Sequence, residues 1–250
     1  MGSSGSVRRN ITPHEKYIGI NQRIPITVLD RAFITFLKTG KLNRDDVLMD
    51  LSEHFTGENR RKKAYQIVSR MVTQTGSSGH CAKLLSPETY LDISEADKAA
   101  ALLFLIVAAY PFCYEMLCIM SAGFKVQDRL NTRFVIEKMS DFYGGNRATE
   151  NAIYALIPMM LEMGIIDRVK RSIYGSVIGK PVSNPLVAEM YVYTDILLSK
   201  SKSILVDDIA VRPWYFYRNP EGLNVGRLSL LKISESRIGG GYLSIDTGRR

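Results

Sequence analysis

The residues best suited to a chemical task form a cationic segment in the second half of the chain. Over residues 164–182 Asp167 is the only acidic residue, and the positive residues are Arg168, Lys170, Arg171 and Lys180. The residue order predicts a β-hairpin, with a strand over 167–171, a turn at Tyr174 and Gly175, and a return strand over 176–182. Positive charges on a protruding hairpin can neutralise phosphate groups, as nucleic-acid binding requires.

A helix with base-reading residue types precedes this segment. Asn146 can cap its start, and the apolar–glycine run Met163–Ile166 ends it. The residues expected to meet DNA from its first turns are Arg147, Thr149, Asn151 and Tyr154. Arginine and asparagine each form two-pronged hydrogen bonds with base edges, and a threonine hydroxyl can contact a phosphate. Ala148 is expected to face the core instead.

These two elements follow another predicted helix over 127–143, which Gly144 and Gly145 end. A helix, a glycine turn, a second helix and a basic hairpin are typical of a winged helix, a variant of the helix-turn-helix. Two features oppose DNA binding: Pro158 should kink or split the second helix, and Glu150 would repel phosphate. A winged helix that contacts a protein, or a plain helical pair with a hairpin, therefore remains an alternative.

Composition is compatible with a nucleic-acid partner. The chain has 250 residues, a net charge of +8 and a pI near 9.3, and a basic excess favours polyanions. Three cysteines, two of them in apolar sequence, indicate free thiols and a reducing compartment. No apolar leader is recognisable, so we expect a cytoplasmic protein. Residues 1–6 have the composition of an expression-tag remnant.

The first half of the chain predicts a helical bundle over 25–124, preceded by an N-terminal arm over 7–24 that could include a short strand. Its third helix carries a basic ridge, which is either a solubilising surface or a phosphate contact through Arg60, Arg61 and Lys63. The apolar block 99–123 raises the question of a membrane span. Only 16 uncharged positions separate Lys98 from Glu115, and Pro111 interrupts them, whereas a span needs about 20. We predict two buried helices and no membrane insertion.

Residues 183–250 predict a small mixed α/β extension, with a helix from Pro185 to about Ser199 and strands over 203–218. The chain contains no phosphate-binding loop, dinucleotide fingerprint, nucleophile elbow or zinc-protease pair. We therefore predict a binding protein without catalysis, cofactor or metal. A nuclease that uses Asp207 or Asp208 is a rival interpretation, although adjacent carboxylates on a strand would face opposite ways.

The fold class predicted is mainly α: a helical bundle over 25–124, a winged-helix unit over 125–182 and the extension over 183–250. This layout resembles the BrxA family of bacterial BREX phage-defence systems, through the helices of 28–72, the apolar block 99–123 and the run ATENAIYALIPMMLEMGII at 148–166. The resemblance implies a small, mainly helical accessory protein that binds double-stranded DNA and works beside other defence subunits. Within it, Arg147 and the basic hairpin residues would contact DNA. The alternative is a protein–protein adaptor whose winged helix docks a partner subunit.

Overall fold

The protein is mainly helical in the computed structural model, which describes residues 17–73, 84–177, 179–235 and 239–246. The helices of its first half are α1 (Ile26–Thr39), α2 (Arg44–Ser52), α3 (Glu58–Thr73), α4 (Pro87–Asp92), α5 (Glu95–Ala109) and α6 (Pro111–Phe124). The middle of the chain contains β1 (Arg129–Asn131), α7 (Thr132–Tyr143), α8 (Arg147–Glu162), β2 (Ile166–Lys170) and β3 (Ile173–Ser176).

The last part combines a long helix with short elements. They are α9 (Pro185–Leu198), β4 (Ile204–Leu205), 3₁₀ helices at Val206–Val211 and Pro213–Phe216, β5 (Leu231–Ser234) and β6 (Tyr242–Ile245). The strands form two antiparallel three-stranded sheets, of order β1–β3–β2 and β4–β6–β5. The strands predicted over 203–218 are wrong except at β4, because residues 206–216 fold into the 3₁₀ turns instead.

Side-chain caps mark the starts of several helices. Asn43, Ser94 and Asn146 each accept a hydrogen bond from a backbone N–H in the first turn of the helix that follows. Gly40 ends α1 in the left-handed conformation (φ 69°). The predicted arm strand is wrong, because the described residues 17–24 are irregular, although Ile20 and Ile24 are completely buried. Residues 74–83 lie outside the described residues.

The apolar block is two buried helices, as predicted. Pro111 begins α6, and the axes of α5 and α6 are bent by 117°. Nearly every apolar side chain in both helices is buried, because α3, α7 and α9 pack around them. Among the described residues, no single helix is long and apolar enough to cross a membrane, and the bent pair α5–α6 alone would reach that length.

One apolar core runs through all three predicted domains, from Ile20 in the arm to Leu243 in β6. Trp214 lies at its C-terminal side, stacked on Tyr191 of α9 at 4.7 Å between ring centroids. The indole N–H donates to the carbonyl of Tyr191. The middle of the chain is therefore packed on the bundle and on the extension, and both of these position the site described next.

Candidate nucleic-acid interface

The chain from α6 to β3 alternates helices and strands in the order α6–β1–α7–α8–β2–β3. β3 lies between β1 and β2, so the strand that precedes α7 joins the hairpin that follows α8. Leu130 and Arg168 both pair with Tyr174, across β1–β3 and β3–β2. Leu130 and Tyr174 are buried, so this face of the small sheet covers the core.

The start of α8 presents a polar stripe to solvent. Arg147, Glu150, Asn151 and Tyr154 are exposed, as predicted, and Tyr154 is 57% exposed. Ala148 is also exposed, so its predicted inward orientation is wrong.

Thr149 does not belong to this stripe. It is completely buried, and its hydroxyl donates to the carbonyl of Gly144 at 2.8 Å. The predicted phosphate contact by Thr149 is therefore wrong: its hydroxyl closes the glycine turn between α7 and α8. Asn146, which accepts from the backbone N–H of both Ala148 and Thr149, shares this function.

α8 continues through Pro158, so the expected split of the helix does not occur. The helix ends at Gly164, whose φ is 60°. Gly164 N–H donates to the Leu161 carbonyl, and Ile165 N–H donates to the Met160 carbonyl. This pair of bonds is the Schellman ending that glycine at this position permits, and it turns the chain directly into β2.

The hairpin turn lies earlier than predicted. Lys170 pairs with Ile173, so Arg171 and Ser172 form a two-residue turn, with Ser172 at φ 59°. Tyr174 and Gly175, predicted as the turn, are inside β3. A Cβ at Gly175 would be in ordinary van der Waals contact, 3.4 Å from a methyl group of Val169, so the strand does not require glycine there. The return strand ends at Ser176, so the predicted extension to 182 is wrong.

The hairpin carries three of the predicted cations. Arg168 and Lys170 lie on the edge strand β2 and Arg171 lies in the turn, and all three are exposed. Within the described part of the chain, none of the three side chains forms an ion pair or hydrogen bond. We call Arg168, Lys170 and Arg171 the hairpin cations. Lys180 is exposed but lies beyond the hairpin, in a cleft with Glu162 and Arg218.

Sequence reasoning missed two further exposed arginines, which lie on elements adjoining the hairpin. Arg129 of β1 is exposed and pairs with Gly175 on the middle strand. Arg133 of α7 is 86% exposed by its side chain and is bonded to Glu137. It is close to the hairpin turn, because Thr132 N–H donates to the carbonyl of Ser172 at 3.0 Å. The sequence analysis missed both arginines because it placed residues 127–131 in the predicted helix over 127–143, whereas residues 129–131 form the short strand β1.

The other predicted phosphate contacts are on a different surface. Arg60 and Lys63 are exposed on α3, but Arg61 is half-buried, and its Nε is enclosed without a hydrogen-bond partner among the described residues. Arg60 is linked to the arm through Gln22, which donates to its carbonyl. Arg60, Arg61 and Lys63 therefore do not share the surface of the hairpin cations.

The N-terminal arm with α1 and the C-terminal extension both bond to the C-terminal end of α8. The Glu162 carboxylate bonds to Arg23 and accepts the backbone N–H of Ile26, the first residue of α1. Arg218, only 2% exposed, donates to the carbonyls of Met163 and Gly164 at 3.2 and 3.1 Å. Burial lowers the pKa of this guanidinium, and the carbonyl end of the helix offsets part of that cost. The exposed face of α8 is thereby held in one orientation.

Catalytic groups do not gather at this surface. Asp207 and Asp208 are exposed in a 3₁₀ helix of the extension, and Asp207 accepts from the backbone N–H of Gly240. Burial raises the pKa of the Cys118 thiol to about 12, with nearby Glu115 adding to the effect. No group of three His, Cys, Asp or Glu residues suited to hold a metal ion exists among the described residues.

Comparison with protein-family models, with curated proteins and with solved structures finds no match to this chain.

Proposed function

We propose that residues 111–176 form a winged helix that binds double-stranded DNA without catalysing a reaction. The supporting geometry is the order α6–β1–α7–α8–β2–β3 with the sheet order β1–β3–β2. In this arrangement α6 takes the place of the first helix, and α8 is the recognition helix. The proposed unit thus begins inside the apolar block, earlier than the predicted boundary at 125.

The observation that carries the proposal is the absence of intramolecular partners for the hairpin cations in the described structure. Three exposed, unpaired positive charges on one edge strand and its turn attract a polyanion. The Arg147–Asn151–Tyr154 stripe lies on the helix that leads directly into β2, so α8 can enter the major groove while the hairpin contacts phosphates. Arg129 of β1 and Arg133 of α7 add positive charge on the elements next to the hairpin, with Arg133 paired to Glu137.

A salt titration tests this proposal. We expect a labelled 20-base-pair duplex to bind with an affinity that falls between about 50 and 200 mM salt. The triple variant Arg168→Ala, Lys170→Ala, Arg171→Ala should reduce the slope of log K against log salt by two to three units, at roughly 0.9 per lost phosphate contact. Affinity at fixed low salt should fall at least about tenfold.

The matched control removes the same charge elsewhere. Lys38, Lys41 and Lys202 are exposed, and their replacement by alanine gives the same net charge. This control should leave the salt slope within about one unit of the parent. No duplex binding at any salt would exclude the proposal, and equal slopes for the two triple variants would remove the hairpin from the interface.

A protein-docking surface is the second candidate, because apolar side chains lie among these cations. Tyr154 is 57% exposed and Val169 is 43% exposed, and aromatic residues are common interface anchors. This function predicts a partner that co-purifies at high salt and is lost after Tyr154→Ala, with no retention of DNA. The further idea of an accessory in a BREX-like defence assembly depends on the family resemblance alone, and co-purification with the other subunits of such a system would test it.

A further inference from the structure

A basic cleft lies between the arm and α3, away from the proposed DNA surface. Its volume is about 390 Å³. Lys63 and Arg70 supply its charges, and among the described residues that line it none is acidic. The ring surfaces come from Tyr17, Tyr65 and Tyr110. Positive charge beside aromatic rings is the combination with which proteins hold phosphate-bearing bases.

The guanidinium of Arg70 is held in place by two rings. It lies 4.4 Å from the ring centroid of Tyr17 and 5.3 Å from that of Tyr110. Tyr110 is 2% exposed, so it forms a fixed wall, whereas Tyr17 is 51% exposed at the opening. Within the described structure, no carboxylate or carbonyl accepts from the N–H groups of Arg70. Stacking thus orients a planar fork whose donors, with no acceptor among the described residues, can bond to a phosphate.

The arm is shaped to place Tyr17 over Arg70. Gly19 has a φ of 65°, and Ile20 N–H donates to the Ile18 carbonyl at 2.7 Å, which closes a three-residue turn. A Cβ on Gly19 would be 2.3 Å from the Tyr17 ring. Only glycine permits both the turn and the position of that ring. The Tyr17–Arg70 contact is therefore built into the fold of the arm.

We propose that this cleft binds a nucleoside monophosphate, with the phosphate at Arg70 and Lys63 and the base beside the accessible rings of Tyr17 and Tyr65. Lys63, Gln66 and Arg70 share one face of α3, so a ligand in the cleft meets both cations. The volume favours a mononucleotide over a bare phosphate, since small-molecule sites begin near 300 Å³. The inference does not depend on DNA binding by the hairpin.

Isothermal titration of the full chain with AMP, adenosine and inorganic phosphate tests the proposal. We expect AMP to bind at least about tenfold more tightly than phosphate, and adenosine to bind more weakly than AMP. Arg70→Ala and Lys63→Ala should each weaken AMP binding by roughly tenfold, the effect of losing one charge-assisted hydrogen bond. Arg70→Lys, which keeps the charge but loses the fork, should also weaken it.

Lys62→Ala is the matched control, because Lys62 is on the same helix but pairs with Glu58 at 2.6 Å outside the cleft. Its AMP affinity should equal that of the parent. Lys63 is exposed, so Lys63→Ala keeps the test valid if Arg70→Ala fails to fold. Equal affinity for AMP and phosphate, no AMP binding, or unchanged AMP affinity in a folded Lys63→Ala variant would each overturn the inference. A fall in duplex affinity after Arg70→Ala without AMP binding would also overturn it.

Discussion

The hairpin and the C-terminal extension use charged residues in opposite ways. Asp195 and Glu189 of α9 are 1% and 3% exposed, and each has several partners. Asp195 bonds to Arg212 and accepts from the Tyr114 hydroxyl at 2.6 Å. Glu189 accepts from the backbone N–H groups of residues 229–231. The hairpin cations are exposed and have no such partners in the described structure.

Desolvation explains the difference. A buried charge is tolerated only with a counter-charge or several hydrogen bonds, so the charges of the extension hold elements together. A solvated charge costs the fold almost nothing and stays available to a ligand. Substitutions in the extension should therefore change stability, and substitutions on the hairpin should change binding.

The largest stability loss is expected for Asp195→Asn. The change leaves the Arg212 guanidinium, whose side chain is 24% exposed, without its counter-charge, and it weakens the bond from Tyr114. We expect the free energy of unfolding to fall by about 3 kcal/mol in urea denaturation. Asp208→Asn is the control, since Asp208 is exposed, and it should change stability by less than about 0.5 kcal/mol. Equal stability of the two variants would contradict the contrast between the regions.

Asp97→Ala should have the next largest effect. Asp97 Oδ1 accepts from the backbone N–H groups of Ser183 and Asn184 at 2.8 and 3.0 Å, which joins the start of α5 to the start of α9. Two N–H groups lose their acceptor, so we expect a loss of about 2 kcal/mol and faster hydrogen exchange at both amides. Glu95→Ala, in the same helical turn but with an 89% exposed side chain, should leave exchange at residues 183 and 184 unchanged.

The same contrast between stabilising and binding residues exists within the first turn of α8, between the buried Thr149 and the exposed Arg147. Thr149→Val removes the hydroxyl bonded to Gly144, so unfolding should become easier by about 1 kcal/mol. Arg147→Ala removes an exposed side chain and should weaken duplex binding by roughly tenfold without changing stability. Parallel denaturation and duplex titrations measure both variants. A Thr149→Val variant that keeps its stability but loses DNA affinity would contradict this assignment.

The sequence predicted the parts of the fold that local rules control. Asn43, Ser94 and Asn146 stand where caps belong, and each begins a helix. Pro111 ended one apolar helix and began the next, because it cannot continue the hydrogen-bond pattern.

Tertiary contacts decided the rest. Gly175 suggested a turn, but it pairs with Arg129 of β1 and Asp167 of β2 inside a strand. Residues 206–216 have the composition of strands, yet they form 3₁₀ helices, one of which places the side chains of Trp214 and Tyr215 in the core.

The candidate site shows the same division. The exposed stripe and the cationic segment were visible in the sequence, because period and charge are local properties. The inward orientation of Thr149 and the position of Arg129 were not. The first depends on a bond to the Gly144 carbonyl, and the second on the pairing of β1 with β3. Asp97 is a further example: its Oδ2 accepts from the Ser94 hydroxyl at the start of α5, whereas its Oδ1 accepts from a segment 86 residues away, which no local rule predicts.

The smallest expected effect is a gain in affinity for duplex DNA. Glu150 lies beside Arg147 and Asn151 on the exposed face of α8, where its carboxylate would repel phosphate. Glu150→Gln should therefore tighten duplex binding about two- to threefold at low salt, and the gain should shrink as salt screens the repulsion. Glu88→Gln removes a carboxylate from the first turn of α4 and should change nothing in the duplex titration. Unchanged or weaker binding by Glu150→Gln would mean that this face of α8 does not meet phosphate, and the protein-docking function would then account better for the exposed Tyr154.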